Sequence, residues 1–279
     1  MFNNEWSLVL FTLFSQTAAG IMIAVLPFLF LNKNIRTGLI AKALYFATGL
    51  MAAALVLSFF HLNNPANALY ALSNLKTSWL SREIFMVSLF LFVLVMLNFI
   101  FHFRKPTPKY YRAFVLAAAA IGAGMIYAMS KLYIIPTVPP WNSGSTMIEF
   151  YSSALLLGSA FVLTLFFHYE IKTGNSMRSD SRVEALLGLT VVVIIIIIAN
   201  TFFIKPDTIA ENAAFKPKAF DEYLILFRWF SLFFGAVSFS FMVYPKNQLK
   251  KMRFIIYLPL LFFFISEIIA RAAFYAAFY

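Results

Sequence analysis

Eight stretches of this chain stay apolar for about twenty residues or more, and that length limits the fold more than any other feature. A helix needs roughly 20 apolar residues to cross a bilayer. Only helices and closed barrels satisfy their backbone groups in lipid, and barrel strands are about half this long. The stretches cover about 6–31, 38–60, 83–103, 111–135, 146–168, 183–204, 222–243 and 254–278. They predict an all-α polytopic membrane protein, a single transmembrane bundle over residues 1–279 with eight transmembrane helices. Charged residues are 12% of the protein, against about 25% in soluble domains, so no separate soluble domain is expected. The apolar start lacks a basic leader and a small-residue cleavage site, which predicts a retained first span.

The net charge of +11 would suggest nucleic acid in a soluble protein, but here its distribution reads as topology. The connectors after spans one, three, five and seven hold thirteen Lys and Arg, and the opposite side holds six. Basic residues collect on the cytoplasmic side, so both termini are expected on the outer, periplasmic side. Cysteine is absent, which excludes disulfides and thiolate-bound iron–sulfur clusters within this protein.

A charge at mid-bilayer costs about 2.5–3.5 kcal/mol on insertion scales, so the ionisable residues of the spans carry information. They crowd towards the expected outer side: Glu5, His61, Arg82, Glu83, Glu149, Arg228, Glu267 and Arg271, with Asn200 among them. Transporters place such groups and broken helices near the midplane, whereas this pattern suits an outward pocket. Plainer readings exist. Glu267 and Arg271 stand four residues apart with the acid first, which suits an intrahelical ion pair, and Arg228 can snorkel to the interface. His102 and His168 lie at the inner edge, where an interfacial role explains them better than haem ligation does.

Between spans two and three lies "FHLNNPANALYALSNLKTSWLSREIF", unusually long for a connector in so apolar a protein. Leu62, Ala66, Leu69, Leu72, Leu75 and Trp79 recur at steps of three and four, which predicts an amphipathic helix at about 63–81. Such a helix can lie in the outer interface with Trp79 at headgroup depth. Its ends would hold His61 and Glu83 at the rim of an apolar pocket, where both can exchange protons with a lipid-soluble substrate.

Four segments carry a family resemblance: "NEWSLVLFTLFSQTAAG", "HLNNPANALYALSNLKTSWLSREI", "TVPPW" at Thr137–Trp141, and "SEIIARAAFY" near the C-terminus. In this order, they resemble the membrane-anchor subunit of bacterial anaerobic dimethyl sulfoxide reductases. The resemblance implies a heterotrimer in the bacterial inner membrane. Its partners would be a molybdopterin catalytic subunit and an iron–sulfur electron-transfer subunit, with molybdopterin and clusters only in those partners. The anchor would bind and oxidise menaquinol and carry no haem. His61 matches the family histidine implicated in quinol binding, and Glu83 the acidic residue of the same block. Arg82, Trp79, Arg271 and Glu267 are then candidate quinol-binding or charge-stabilising residues. Asn63 and Asn67 depart from the pattern, which has Gly and a basic residue there, so a contact at position 67 is in question. The alternatives are a multispan transporter and an anchor for a related molybdoenzyme with another terminal acceptor.

Overall fold

A computed structural model describes residues 6–31, 37–61, 70, 72–104, 107–173, 180–204, 222–243 and 253–276. Among these are eight helices long and apolar enough to cross a membrane: Trp6–Phe30, Thr37–Phe60, Trp79–Phe103, Lys109–Tyr133, Gly144–Lys172, Ser181–Phe202, Glu222–Ser240 and Phe254–Ala276. They are spans one to eight below. The end at which span one begins is the near end, and the other is the far end. Successive spans run in opposite directions, so the near end holds the starts of the odd-numbered spans and the finishes of the even-numbered ones.

Spans one and five lie at the centre, the most enclosed of the eight. Span one packs against spans two, four, five and eight. This placement follows from its composition. Thr12, Ser15, Gln16 and Thr17 are all buried, and lipid would be a poor neighbour for them. Three hydroxyls among them bond back to carbonyls three or four residues earlier, Ser15 to Phe11 at 2.7 Å and Thr17 to Leu13 at 2.7 Å. Span three, by contrast, turns Phe92, Val95, Met96, Phe99 and Phe103 outward.

The two central spans touch backbone to backbone. A Cβ built on Gly20 would collide with the Ala154 carbonyl, and one on Gly158 would collide with the Gly20 carbonyl. Small residues let membrane helices approach this closely, and dispersion and polar contacts then replace a hydrophobic drive that lipid does not supply. Span one also breaks once. Val25 stands between helices Trp6–Ala24 and Leu26–Phe30, where Pro27 sits in the first turn of the second piece.

Of the connector ahead of span three, only Tyr70, which is helical, and residues 72–78, which do not continue the amphipathic helix expected at 63–81, are described. Residues 62–69 and 71 lie outside the described residues. The rest is one 3₁₀ turn at Leu72–Asn74, a further turn, and then span three, already under way at Trp79. Ser78 interrupts any continuous helix: its backbone is extended and its Oγ accepts from the Ser81 N–H at 3.3 Å. Arg82 closes the turn, donating from Nε to the Leu75 carbonyl at 2.9 Å and from Nη2 to the Lys76 carbonyl at 2.7 Å. Over residues 72–78, those side chain–backbone bonds outweigh the apolar periodicity.

Candidate functional site

Arg271 is 3% exposed, deep in span eight. A guanidinium so placed needs acceptors, and it finds few charged ones. Nη2 donates to Gln16 Oε1 of span one at 2.8 Å and to Ser153 Oγ of span five at 3.2 Å. Its plane sits over the Phe150 ring, 4.0 Å from the centroid, where the ring face favours a cation. Nε and Nη1 have no hydrogen-bond partner.

Glu267, one turn earlier and equally buried, is joined to Arg271 through a third residue. Ser153 Oγ lies 2.5 Å from Glu267 Oε2 and also accepts from Arg271. The intrahelical ion pair that the spacing allows is therefore replaced by an inter-span bridge of spans five and eight. Ser153 has one hydroxyl proton, and its Oγ also stands 2.9 Å from the Glu149 carbonyl. Glu267 Oε1 is buried and unpartnered.

Beside this bridge is a small cavity of about 20 Å³, room for about one water molecule. Its walls include Glu149, Ser153, Asn200, Arg228, Glu267 and Arg271, drawn from spans five to eight. Asn200 reaches it because the helix of span six widens into a π turn at Asn200–Ile204. Such turns often mark functional sites. Asn200 Oδ1 and Arg228 Nε are buried without partners, so the cavity offers both a donor and an acceptor to a guest.

Glu83 lies in the first turns of span three, 5% exposed, and its Oε1 has no partner. Glu83 and Arg271 both act electrostatically on Tyr133 of span four and Tyr275 of span eight. Tyr133 and Tyr275 pack at 5.4 Å between ring centroids, in a cluster with Trp141, Phe150 and Phe274. Trp141 Nε1–H donates to the Phe274 carbonyl at 2.8 Å and so anchors the "TVPPW" connector on the end of span eight. Tyr133 and Tyr275 thus lie within electrostatic reach of both the Glu83 carboxyl and the Arg271 guanidinium.

The remaining candidates are placed as follows. Trp79 stacks edge-on with Tyr127 at 5.8 Å, and Arg82 covers the Trp79 ring at 4.2 Å. With Nε and Nη2 on loop carbonyls, Arg82 braces the connector. His61 closes the helix of span two at the same near end, but its side chain, with Asn63 and Asn67, lies outside the described residues. His102 and His168 sit at the far end against tyrosines, 3.5 Å from Tyr45 Oη and 2.6 Å from Tyr257 Oη. Sequence reasoning does not single out Gln16, Ser153, Tyr133 or Tyr275. The one available signal is a glutamine inside a first span whose other polar residues are hydroxyls.

The near end therefore gathers three carboxyls, three arginines, two amides and phenols, with several buried donors and acceptors unfilled. Chemically this can bind a polar headgroup entering from lipid, hold a charge and hand over protons. Among relatives, a family model described as "DMSO reductase anchor subunit (DmsC)" matches residues 2–277. The protein belongs to this family. It is 30% identical over 156 residues to the YnfH subunit of the anaerobic dimethyl sulfoxide reductase of Escherichia coli (strain K12), covering 56% of this sequence and 55% of that one. That alignment spans about half the length of the relative. The C subunit of the anaerobic dimethyl sulfoxide reductase of Haemophilus influenzae is 27% identical over 217 residues, 75% of each sequence. The corresponding C subunit of E. coli is 28% identical over 159 residues, 56% of this sequence and 55% of that one. As a DMSO reductase anchor subunit, the protein is a membrane component with many spans, and its buried near-end polar groups sit inside the part that the family model covers.

Proposed function

We propose that this anchor subunit binds menaquinol at its near end, oxidises it, and passes the electrons to an iron–sulfur partner subunit. A molybdopterin partner then reduces dimethyl sulfoxide or a similar S- or N-oxide. The near end is the periplasmic side, both termini lie there, and the membrane is the bacterial inner membrane. The observation that carries the reading is the unpartnered Glu83 carboxyl, buried at the same end as His61.

Menaquinol gives up two protons and two electrons to become menaquinone. His61 accepts a proton from one hydroxyl, and Glu83 orients His61 or passes the proton outward. Arg271 offsets the negative charge that develops on the quinol oxygen, as a fixed cation in a dry site. The bridge through Ser153 to Glu267 leads on to the water-sized cavity and Arg228. Trp79 and Arg82 frame the mouth. The electrons leave this subunit, which has no cysteine to hold a cluster.

Replacing His61 by Arg, or Glu83 by Gln, tests this. Each variant should assemble with its partners and keep activity with an artificial electron donor, while quinol-dependent turnover falls at least about a hundredfold, the scale of a lost acid–base group. Wild-type quinol oxidation in both variants would sink the assignment. The transporter alternative predicts substrate uptake by the subunit expressed alone, without partners.

A further inference from the structure

The far end holds a second, larger concavity that the near-end chemistry leaves unexplained. It opens between spans two, five and eight and has a volume of about 640 Å³. We propose that it is a binding site for one anionic phospholipid, its headgroup phosphate at the rim and an acyl tail in the groove.

The three walls are layered alike. In span two, Lys42 and Tyr45 are nearer the far end, and Phe46 lies deeper. In span five, Phe161 is deep, Thr164 and Leu165 follow, and His168 is at the rim, roughly 10 Å from Phe161 at 1.5 Å per residue. In span eight, Tyr257 is at the rim and Leu260 deeper. Three helices, two of them running opposite to the other, thus place polar tips at one depth and apolar walls at another. A peptide ligand would not require that order, but an amphiphile held at the membrane interface does.

The rim also has the right charge. Lys42 is exposed, with Nζ over the Tyr169 ring at 5.3 Å, a contact that leaves its donors available. His168 Nδ1 is engaged with Tyr257 Oη at 2.6 Å, which fixes the imidazole and leaves Nε2 for a phosphate oxygen. Thirteen of the 22 Lys and Arg belong to the far-end connectors and the span ends beside them, so the surrounding field favours an anion. Basic pockets between membrane helices bind acidic lipid headgroups by this combination. Tyr45 and Phe46 are half exposed at the groove, as residues facing a lipid rather than a packed helix would be.

Native mass spectrometry of the purified full-length protein tests the proposal, with phosphatidylglycerol and phosphatidylcholine of identical acyl composition titrated in parallel. The acidic lipid should be retained about fivefold more than the zwitterionic one, the weight of one lysine beside an anionic headgroup. Lys42→Gln, an exposed change that leaves the packing intact, should abolish that preference, and His168→Gln should reduce it. Lys109→Gln, a far-end lysine outside the groove, should leave it unchanged. Equal retention of both lipids would overturn the proposal, as would a Lys42→Gln variant that keeps the full preference. So would displacement by inorganic phosphate at millimolar concentration, which would mark a free-anion site. Retention of a quinone in place of lipid, or dimers that form through this face, would equally overturn it.

Discussion

At the residue scale, Ser153 carries the greatest structural weight for its size. A guanidinium and a carboxyl, each 3% exposed, meet through its single hydroxyl. Removing it leaves a donor and an acceptor buried and unmet, at a cost of about 1–3 kcal/mol for each group left unsatisfied. Ser153→Ala should therefore lower the thermal unfolding midpoint of the purified protein clearly below that of wild type, whereas Thr at this position retains the hydroxyl and should recover part of the loss. An unchanged midpoint for the alanine variant would mean that the bridge contributes nothing to stability. The same residue shows how far sequence reading reaches. The i,i+4 spacing of Glu267 and Arg271 is visible in the sequence, but a serine 114 residues away from Glu267 decides how they interact.

At the element scale, the crossing of spans one and five is the tightest part of the bundle. Gly20 and Gly158 leave no space for a methyl group against the opposing backbone, and backbone cannot move aside as a flexible side chain can. Overpacking costs roughly 1–3 kcal/mol, and more where the obstacle is main chain. Gly158→Ala should reduce the yield of folded protein in the membrane and its resistance to heat in detergent. Gly188→Ala, whose added carbon would meet nothing within 4 Å, should be neutral by both measurements. Span existence and type were legible in the sequence, because a bilayer demands a long apolar run whatever the neighbours are. The ends were less so. Span three starts at Trp79 rather than 83, and residues 72–78 just before it form a capped turn. Periodicity sees only side-chain polarity, and the bonds from Arg82 to the Leu75 and Lys76 carbonyls are invisible to it. The π turn at Asn200 was likewise unreadable, since nothing in "IIANTFF" signals a widened helix.

At the scale of the whole molecule, the Ser153 network lies towards the near end, and most of the Lys and Arg belong to the far-end connectors and the span ends beside them. If the near end is periplasmic, single cysteines report it without background, because the protein has none of its own. A membrane-impermeant maleimide added to intact spheroplasts should label Lys76→Cys near the start of span three and should spare Tyr110→Cys until the membrane is broken. The reverse pattern would invert the topology and put the quinol site on the cytoplasmic side. If, as proposed, quinol protons are released on the side where the acceptor is reduced, turnover moves no net charge across the bilayer. Proteoliposomes carrying the full complex should build no membrane potential, and a sustained potential would rule out a one-sided site.

The sequence by itself determined that this protein lives in a bilayer, how many times it crosses, and which residues are too costly to be there by accident. Solvation energy decides those matters, and it is a property of each segment alone. Only the tertiary structure decided which of the costly residues meet. It brought Gln16, Ser153, Glu267 and Arg271 from three spans into one network, and packed Tyr133 of span four against Tyr275 of span eight. It also turned Arg82 towards its own connector and Asn200 into a cavity. Those outcomes depend on helix rotation and crossing, which close contacts between distant small residues set and which no local pattern records.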